Sequence, residues 1–361
     1  MGTTMDKPSS KLIIAGPCSA ESRDQMIQTA KEIEKIQEVT FFRAGIWKPR
    51  TRPNLFEGIG ERGLKWLQEI GKTTRLLTTT EVARTYHVEK CLEHNIDAVW
   101  IGARTTVSPF AVQEIAESLK GTGQMVLLKN PVNEDLSLWM GALERLDKVG
   151  IKNIVAIHRG FTAPPGGMYR NNPLWHIPLE LKERCPDLPI ICDPSHMLGK
   201  RDGLQELSQE ALNLGLEGLM IETHPNPDKA LSDSKQQITP NALQALIQNL
   251  NLDPVLSNKT GKLPKHETSL KVLRNMIAPL DQELLEILQK RMKVVQRIGS
   301  LKKVAKIEPF QQKRMEELID NLEVCGEKKG LDKKYIRNLY NIIHNESVNR
   351  QTEIMEALDQ R

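Results

Sequence analysis

The sequence predicts a (β/α)8 barrel of the TIM type followed by an all-α domain of three helices. Three observations carry that prediction. Between residues 11 and 225 short apolar runs recur every 20 to 40 residues, each bounded by turn signals. Helix-length amphipathic segments separate the runs. From about residue 268 the pattern changes to apolar positions three and four apart, the spacing of a helix face.

In order, the runs are 11–16 (KLIIAG), 40–45 (TFFRAG), 74–80 (TRLLTTT), 98–103 (AVWIGA), 124–129 (QMVLLK), 153–160 (NIVAIHRG), 188–195 (LPIICDPS) and 217–224 (EGLMIETH). Strands of a parallel barrel are covered on both faces, so they read as unbroken apolar runs. A strand–helix unit repeated eight times over about 250 residues is the arithmetic of that fold. The eighth helix spans about 240–250. An open doubly wound sheet is the alternative, but no G-x-G-x-x-G follows the first run. Residues 251–267 mix Pro, Gly, Asn and charge without periodicity and read as a linker. The expected division is a barrel domain 1–252, a linker 253–267 and a helical domain 268–361.

In the helical part Leu270, Leu273, Ile277, Leu280, Leu284 and Ile287 follow the 3,4 spacing, and Val295, Ile298 and Val304 continue it. With Pro279 the one break signal, this predicts a helix of roughly 35 residues, about 50 Å long. A domain this small cannot bury such a stripe by itself; the stripe needs a partner helix from a second copy. Two more helices are expected near 310–326 and 332–359, and an intertwined homodimer follows.

Composition narrows the function classes. Hydrophobic residues make up 39% and charged residues 27%, a balance that leaves little room for long disordered tracts. No stretch is apolar enough to span a membrane and the N-terminus has no signal-peptide pattern, so a cytoplasmic protein is expected. Five widely spaced Cys do not form a disulfide framework. The net charge of +4 is uneven: 18 Lys/Arg stand against 14 Asp/Glu from residue 268 onward, and 32 against 32 before it. No aromatic–basic interleaving or motif points to nucleic acid.

A barrel's active site lies where its strands end. The first run leads into Gly16-Pro17-Cys18-Ser19 and the second into Lys48-Pro49-Arg50-Thr51. The fourth, fifth and sixth lead into Arg104, Lys129 and His158-Arg159. The seventh meets Asp193-Pro194-Ser195-His196, and the eighth Glu222-Thr223-His224 with Asp233 eleven residues on. Seven of eight ends thus carry charged or coordinating groups. Cys18, His196, Glu222 and Asp233 form a mixed thiolate, imidazole and carboxylate set suited to one divalent ion such as Mn, Fe, Co or Zn. Lys48, Arg50, Arg104, Lys129 and Arg159 would repel one another unless anions sit between them, which implies phosphorylated and carboxylated substrates. The run Lys200-Arg201-Asp202 reads as a solvated face.

The segments GPCSAE, RAGIWKPRT, IGARTT, DPSH and IETHPNPDKALSD resemble 3-deoxy-D-arabino-heptulosonate 7-phosphate (DAHP) synthase of the short type Iβ class, over residues 11–250. The resemblance implies condensation of phosphoenolpyruvate with erythrose 4-phosphate at a divalent metal. It puts the metal ligands on Cys18, His196, Glu222 and Asp233. Phosphoenolpyruvate contacts fall on Lys48, Arg104, Lys129 and Arg159, with Arg43 as an outer partner, and erythrose phosphate contacts on Arg50 and Thr51. Such chemistry needs a polarised aldehyde, cations around the departing phosphate and a general acid, for which Lys48 is placed. His158 stands where the family often has glutamate. A relative using arabinose 5-phosphate is the competing barrel reading, and Lys48-Pro49-Arg50-Thr51 argues against it.

On the long helix Arg291 and Lys302, eleven apart, fall within about 20° of each other. Arg274 lies 28 residues from Lys302, roughly 42 Å along the axis, so it can join such a site only from another subunit. Gln311 and Arg314, then Ser347 and Gln351, form pairs on the next two helices. The set resembles the all-α chorismate mutase family over 268–361. The resemblance implies conversion of chorismate to prephenate without a cofactor. It puts Arg291 and the partner subunit's Arg274 on carboxylates, Lys302 and Gln351 on the ether oxygen, and Ser347 and Arg314 close by. Gln311 and Met315 stand where some members have Asp and Glu, which puts the hydroxyl contacts in question.

The leading expectation is therefore a bifunctional enzyme of aromatic biosynthesis, a homodimer or higher oligomer. Prephenate or chorismate bound to the helices is expected to inhibit the barrel, because no separate regulatory domain precedes residue 11. The alternative makes the helical part a non-catalytic sensor and dimerisation module.

Overall fold

The computed structural model describes residues 11–48, 55–163, 167–252 and 266–359. It divides into two compact units, Met1–Val272 and Leu273–Arg361.

The first unit is a closed parallel barrel. Its elements run β1 (Leu12–Gly16), α1 (Arg23–Ile33), β2 (Val39–Arg43), α2 (Arg62–Thr73), β3 (Leu77–Val82), α3 (Thr85–Glu93), β4 (Ala98–Ile101), α4 (Ala103–Thr106), α5 (Pro109–Leu119), β5 (Met125–Lys129), α6 (Leu136–Lys148) and β6 (Ile154–His158). Then follow β7 (Phe161–Thr162), β8 (Asn171–Asn172), α7 (His176–Arg184), β9 (Ile190–Cys192), α8 (Pro194–Leu198), α9 (Leu204–Asn213), β10 (Gly218–Glu222) and α10 (Pro240–Asn249). Each barrel strand hydrogen-bonds in parallel to its sequence neighbours, β6 pairs β9, and β10 closes on β1 with Leu12 opposite Gly218. Each of the eight apolar runs overlaps one barrel strand, with β2 starting one residue before its run and β3 ending two residues after its run. The sequence reading lacked the antiparallel pair β7–β8 and the short helices α4 and α8.

Local chemistry starts several of the helices. Ser22, Asp135, Asp193 and Thr239 accept a hydrogen bond from the backbone N–H three residues on, at α1, α6, α8 and α10. Pro194 and Pro240 occupy first-turn positions, where a missing N–H costs nothing. Ile14, Phe41, Trp100, Leu127, Val155, Ile157, Ile191 and Met220 pack together as the barrel core. β3 departs from the apolar rule: Thr78, Thr79 and Thr80 are all buried. Thr78 donates from its hydroxyl to Asp97 and Thr80 to the Ala44 carbonyl, both at 2.8 Å, which makes this polar strand tolerable inside.

The helical part consists of α11 (His266–Ala305), which belongs to the second unit from Leu273 onward, α12 (Gln312–Glu327) and α13 (Lys333–Asp359). α11 is one unbroken helix of 40 residues that runs through Pro279. Gly299 faces α13 so closely that a Cβ there would lie 3.1 Å from Gln351 Cα. Ile277, Leu280, Leu284, Ile287 and Val294 are exposed along α11. The linker at 253–265 lies outside the described residues.

Candidate functional site at the strand ends

Side chains alternate along a strand, so a residue two positions beyond an interior apolar one faces the same way. Phe41 is followed in this sense by Arg43, Leu127 by Lys129, Ile157 by Arg159, Ile191 by Asp193 and Met220 by Glu222. The pattern that fills the core therefore aims five ionisable groups at one end of the barrel.

One ligand atom each from Cys18, Glu222 and Asp233 lie within 4.8 Å of one another. Cys18 Sγ is 3.2 Å from Asp233 Oδ2. His196 Nε2 stands beside this group, 3.6 Å from Glu222 Oε1, while its Nδ1 contacts Asp193 Oδ2 at 2.8 Å. Glu222 Oε1 is buried without a hydrogen-bond donor of good geometry, although Arg43 Nη2 lies 3.1 Å away. Burial pushes the Cys18 thiol up to about 12, helped by Glu222 and opposed by Lys48. A divalent ion reverses that preference, because a coordinated thiol loses its proton outright. A thiol, an imidazole and two carboxylates, one with an oxygen awaiting a partner, fit a transition-metal ion.

Cations surround this group. Lys48 Nζ donates to the Cys18 carbonyl at 3.0 Å and lies 3.1 Å from Cys18 Sγ. Lys129 Nζ pairs with Asp193 Oδ2 at 2.8 Å, both buried. Burial lowers the Lys129 pKa against the pull of Asp193. Arg43 sits 4.8 Å over the Trp100 ring, with Nε and Nη1 buried and unpaired. Arg159 donates to Asn171 Oδ1 at 2.7 Å; burial lowers its pKa to about 10, with Arg170 and Arg104 repelling it. Arg104 is exposed on α4. Arg50 and Thr51 lie outside the described residues.

Several groups here were not singled out from sequence. The third strand end does carry a charge: β3 extends past residue 80, and Glu81 faces the cluster. A Cβ at Gly102 would sit 2.0 Å from its Oε1, so the glycine makes room for the carboxylate. Arg170, Asn171, Gln236 and Gln237 join the network from two loops. Arg201, exposed together with Lys200 and Asp202 as expected of a solvated face, also donates to the Gln237 and Ser234 carbonyls at 2.8 and 2.9 Å and tethers that loop. His158 is buried among Trp139, Phe161 and Trp175, with Nε2 2.5 Å from the Pro173 carbonyl. It is part of the barrel wall.

In the helical unit Arg291 on α11 donates to Ser347 Oγ on α13. Gln351 is buried with Oε1 unpaired, its Nε2 donating to the Ser347 carbonyl at 3.1 Å. Lys302 Nζ reaches the Pro309 carbonyl at 2.7 Å. Burial lowers the His344 pKa, and Arg291 and Lys302 both add to the shift, so the two cations act on one spot. Gln311 and Arg314 are exposed, and Arg314 lies 3.9 Å from Glu317. Arg274 is exposed 28 residues before Lys302 on the same helix.

A closed parallel barrel with buried acid, thiol and cation groups at its strand ends defines an enzyme that handles small anions. Residues 5–254 match the DAHP synthetase I family, and residues 273–352 match chorismate mutase type II. The phospho-2-dehydro-3-deoxyheptonate aldolase of Thermotoga maritima is 33% identical over 238 residues, which is 66% of this chain and 68% of that one. A 2-dehydro-3-deoxyphosphooctonate aldolase of Caulobacter vibrioides is 27% identical over 264 residues, covering 66% and 85%. The crystal structure of the Thermotoga maritima DAHP synthase superposes with a TM-score of 0.59 at 31% identity, covering 66% of this chain and 67% of that one. The chain belongs to the DAHP synthetase I family and carries a chorismate mutase domain at its C-terminal end. It is bifunctional, a DAHP synthase and a chorismate mutase serving the shikimate pathway.

The His158 environment sets a pH dependence. Burial lowers its pKa to about 3 from an ordinary value near 6.5. The unfolded chain therefore binds a proton that the native one refuses, and His158 withdraws stability as pH falls below about 6.5. The slope is at most about 1.4 kcal/mol per pH unit. Denaturant unfolding between pH 7 and 4 checks this: His158→Phe, which fits the aromatic surround, is expected to flatten the slope. An unchanged slope would refute the assignment.

Proposed function

We propose that the barrel holds one divalent metal ion on Cys18, Glu222 and Asp233, with His196 completing the set. It joins phosphoenolpyruvate to erythrose 4-phosphate beside that ion. The convergence of three ligand atoms within 4.8 Å at the strand ends carries this reading. Mn, Fe, Co and Zn all suit the donors.

The ion, when bound, supplies Lewis-acid polarisation of the aldehyde carbonyl. C3 of phosphoenolpyruvate attacks the aldehyde carbon, water adds at C2, and the phosphate leaves with its bridging oxygen. Lys48 Nζ delivers a proton to the aldehyde oxygen. Burial works against its charge, but Cys18, Glu222 and Glu81 outweigh that and keep it protonated until the oxygen becomes basic. Lys129, Arg159 and Arg104 hold the phosphate and carboxylate, with the unpaired Nε and Nη1 of Arg43 behind them, and Arg50 and Thr51 take the aldose phosphate. Arg43, Lys129 and Arg159 are held by Glu222, Asp193 and Asn171 before substrate arrives, so they stabilise the departing phosphate at little cost in reorganisation.

In the helical domain, taken as 268–361 beyond a linker 253–267, Arg291 and the partner subunit's Arg274 hold the chorismate carboxylates. Lys302 and Gln351 hydrogen-bond the ether oxygen as it gains charge, and Ser347 orients Arg291. Arg314 and Gln311 lie at the margin of the site. No nucleophile or cofactor is needed, because preorganisation and one donor at the breaking bond suffice for a pericyclic step. A homodimer supplies Arg274 and covers the exposed apolar face of α11. Prephenate or chorismate held there slows the barrel through the covalent connection.

Three measurements test these assignments. Lys48→Met should lower kcat of the condensation by about 10²- to 10⁴-fold with metal content unchanged, and near-normal turnover would remove Lys48 from proton transfer. A fragment from residue 260 onward should form a dimer and consume chorismate; binding without turnover would leave a sensor only. The full chain should be inhibited by prephenate and a chain ending near residue 255 should not, whereas equal inhibition would exclude the helical domain from regulation.

A further inference from the structure

The segment Arg170-Asn171, at the base of the β7–β8 pair, touches both halves of the barrel site. Arg170 Nη1 donates to Asp233 Oδ1 and to Gln236 Oε1, each at 2.9 Å. Gln236 passes the contact on, its Nε2 donating to Glu222 Oε2 at 2.7 Å. One guanidinium nitrogen therefore fixes the outer oxygen of Asp233 directly and that of Glu222 through a single amide. Their other oxygens, Asp233 Oδ2 toward Cys18 Sγ and Glu222 Oε1 toward Arg43 and His196, remain aimed into the cluster.

The next residue reaches the rest of the site. Asn171 Nδ2 donates to the His196 carbonyl at 2.6 Å, and Asn171 Oδ1 accepts from Arg159 Nη1 at 2.7 Å. Adjacent residues of extended chain point to opposite sides, which lets one dipeptide address two neighbours. The arrangement depends on Gly160, whose φ is +79° and where a Cβ would lie 2.6 Å from the Asn171 carbonyl oxygen. Asp233 is itself held in a left-handed conformation, φ 46°, which a non-glycine residue keeps only where its surroundings enforce it.

We infer that Arg170 is a positioning residue for the metal carboxylates, and that Asn171 ties the same loop to the phosphate-binding Arg159, setting metal ligands and anion clamp in register. This rests on the metal reading above. Outer partners that orient ligands typically change metal affinity by about 10- to 100-fold when removed.

Cobalt(II) titration of the metal-free full-length chain, followed by the thiolate-to-cobalt charge-transfer band, tests it. Wild type should show the band and Cys18→Ser should lack it; no band in wild type would defeat the metal reading itself. With the band established, Arg170→Ala should weaken cobalt binding by about 10- to 100-fold at unchanged thermal stability. Arg170→Lys, which keeps the charge but not the two-way contact, should recover only part of the loss. Asn171→Ala should raise KM for phosphoenolpyruvate more than it lowers kcat. Cobalt affinity of Arg170→Ala within about twofold of wild type would overturn the role of Arg170, and an unchanged KM in Asn171→Ala would overturn the coupling.

Discussion

Charge buried at the strand ends is the constraint on which the barrel is built. Arg43, Lys129, Asp193 and Glu222 are all nearly inaccessible to solvent. An isolated ion in such a place costs several kcal/mol, so each must have a partner at contact distance. Arg43 pairs with Glu222 at 3.1 Å and Lys129 with Asp193 at 2.8 Å. Trp100 lies beneath both cations, its ring face offering further stabilisation. Removing any member would strand its partner, which makes the set all-or-none and holds each group in one orientation. Pairing that satisfies burial thus also supplies the fixed dipoles that catalysis requires.

The two catalytic units solve electrostatics differently. The barrel excludes solvent within a single chain; burial lifts the Cys18 thiol, while opposite charges overcome burial at Arg43, Lys48, Asp193 and Glu222 and hold them ionised. In the helical unit the cations lie on helix surfaces; burial lowers Arg291, with Tyr340 opposing the shift, and lowers Lys302. In the proposed dimeric arrangement a dianion and a second subunit would remove the water around these cations. An aldol-type condensation needs proton movement and charge separation at fixed places, so a rigid, closed mouth suits it. A pericyclic rearrangement needs chiefly a confined conformation, which assembling helices around the ligand can provide.

The eight barrel strands were legible because burial on both faces writes itself as apolar runs, and the long α11 because its 3,4 spacing persists across Pro279. The third strand was the least legible: TTTEV carries hydroxyls that only tertiary partners such as Asp97 and the Ala44 carbonyl make acceptable, so its end at Glu81 passed unnoticed. Cys18 and Glu222 were readable because they stand where a strand ends, whereas Asp233 lies eleven residues past the last strand. Arg170, Asn171 and Gln236 were not. They act across 12 to 66 residues of chain through single hydrogen bonds, and no periodicity encodes such a contact. Arg201 was legible as solvated, and it is exposed, but its two bonds to carbonyls of the loop at 234–237 were not, since nothing in a Lys-Arg-Asp run announces them.

That loop, between β10 and α10, explains how a residue far beyond its strand becomes part of a buried cluster. Ile238 donates to the Glu222 carbonyl at 3.0 Å and accepts from His224 N–H at 2.9 Å, so the chain returns to the strand it left. The excursion is closed, and Asp233 is carried on it at a fixed distance from Glu222. Two consecutive glutamines then divide the work. Gln236 turns to Glu222, and Gln237 accepts from the Cys18 backbone N–H at 2.9 Å while donating to the Ser232 carbonyl at 2.8 Å. The segments bearing Cys18, Glu222 and Asp233 are thereby cross-linked through backbone and amide groups that carry no charge. Arg43 and Lys48 bring charge to the inner side of the cluster, beside Glu222 Oε1 and Cys18 Sγ, whereas Arg170, on the outer oxygen of Asp233 and half exposed to solvent, keeps its charge on the far side of that carboxylate.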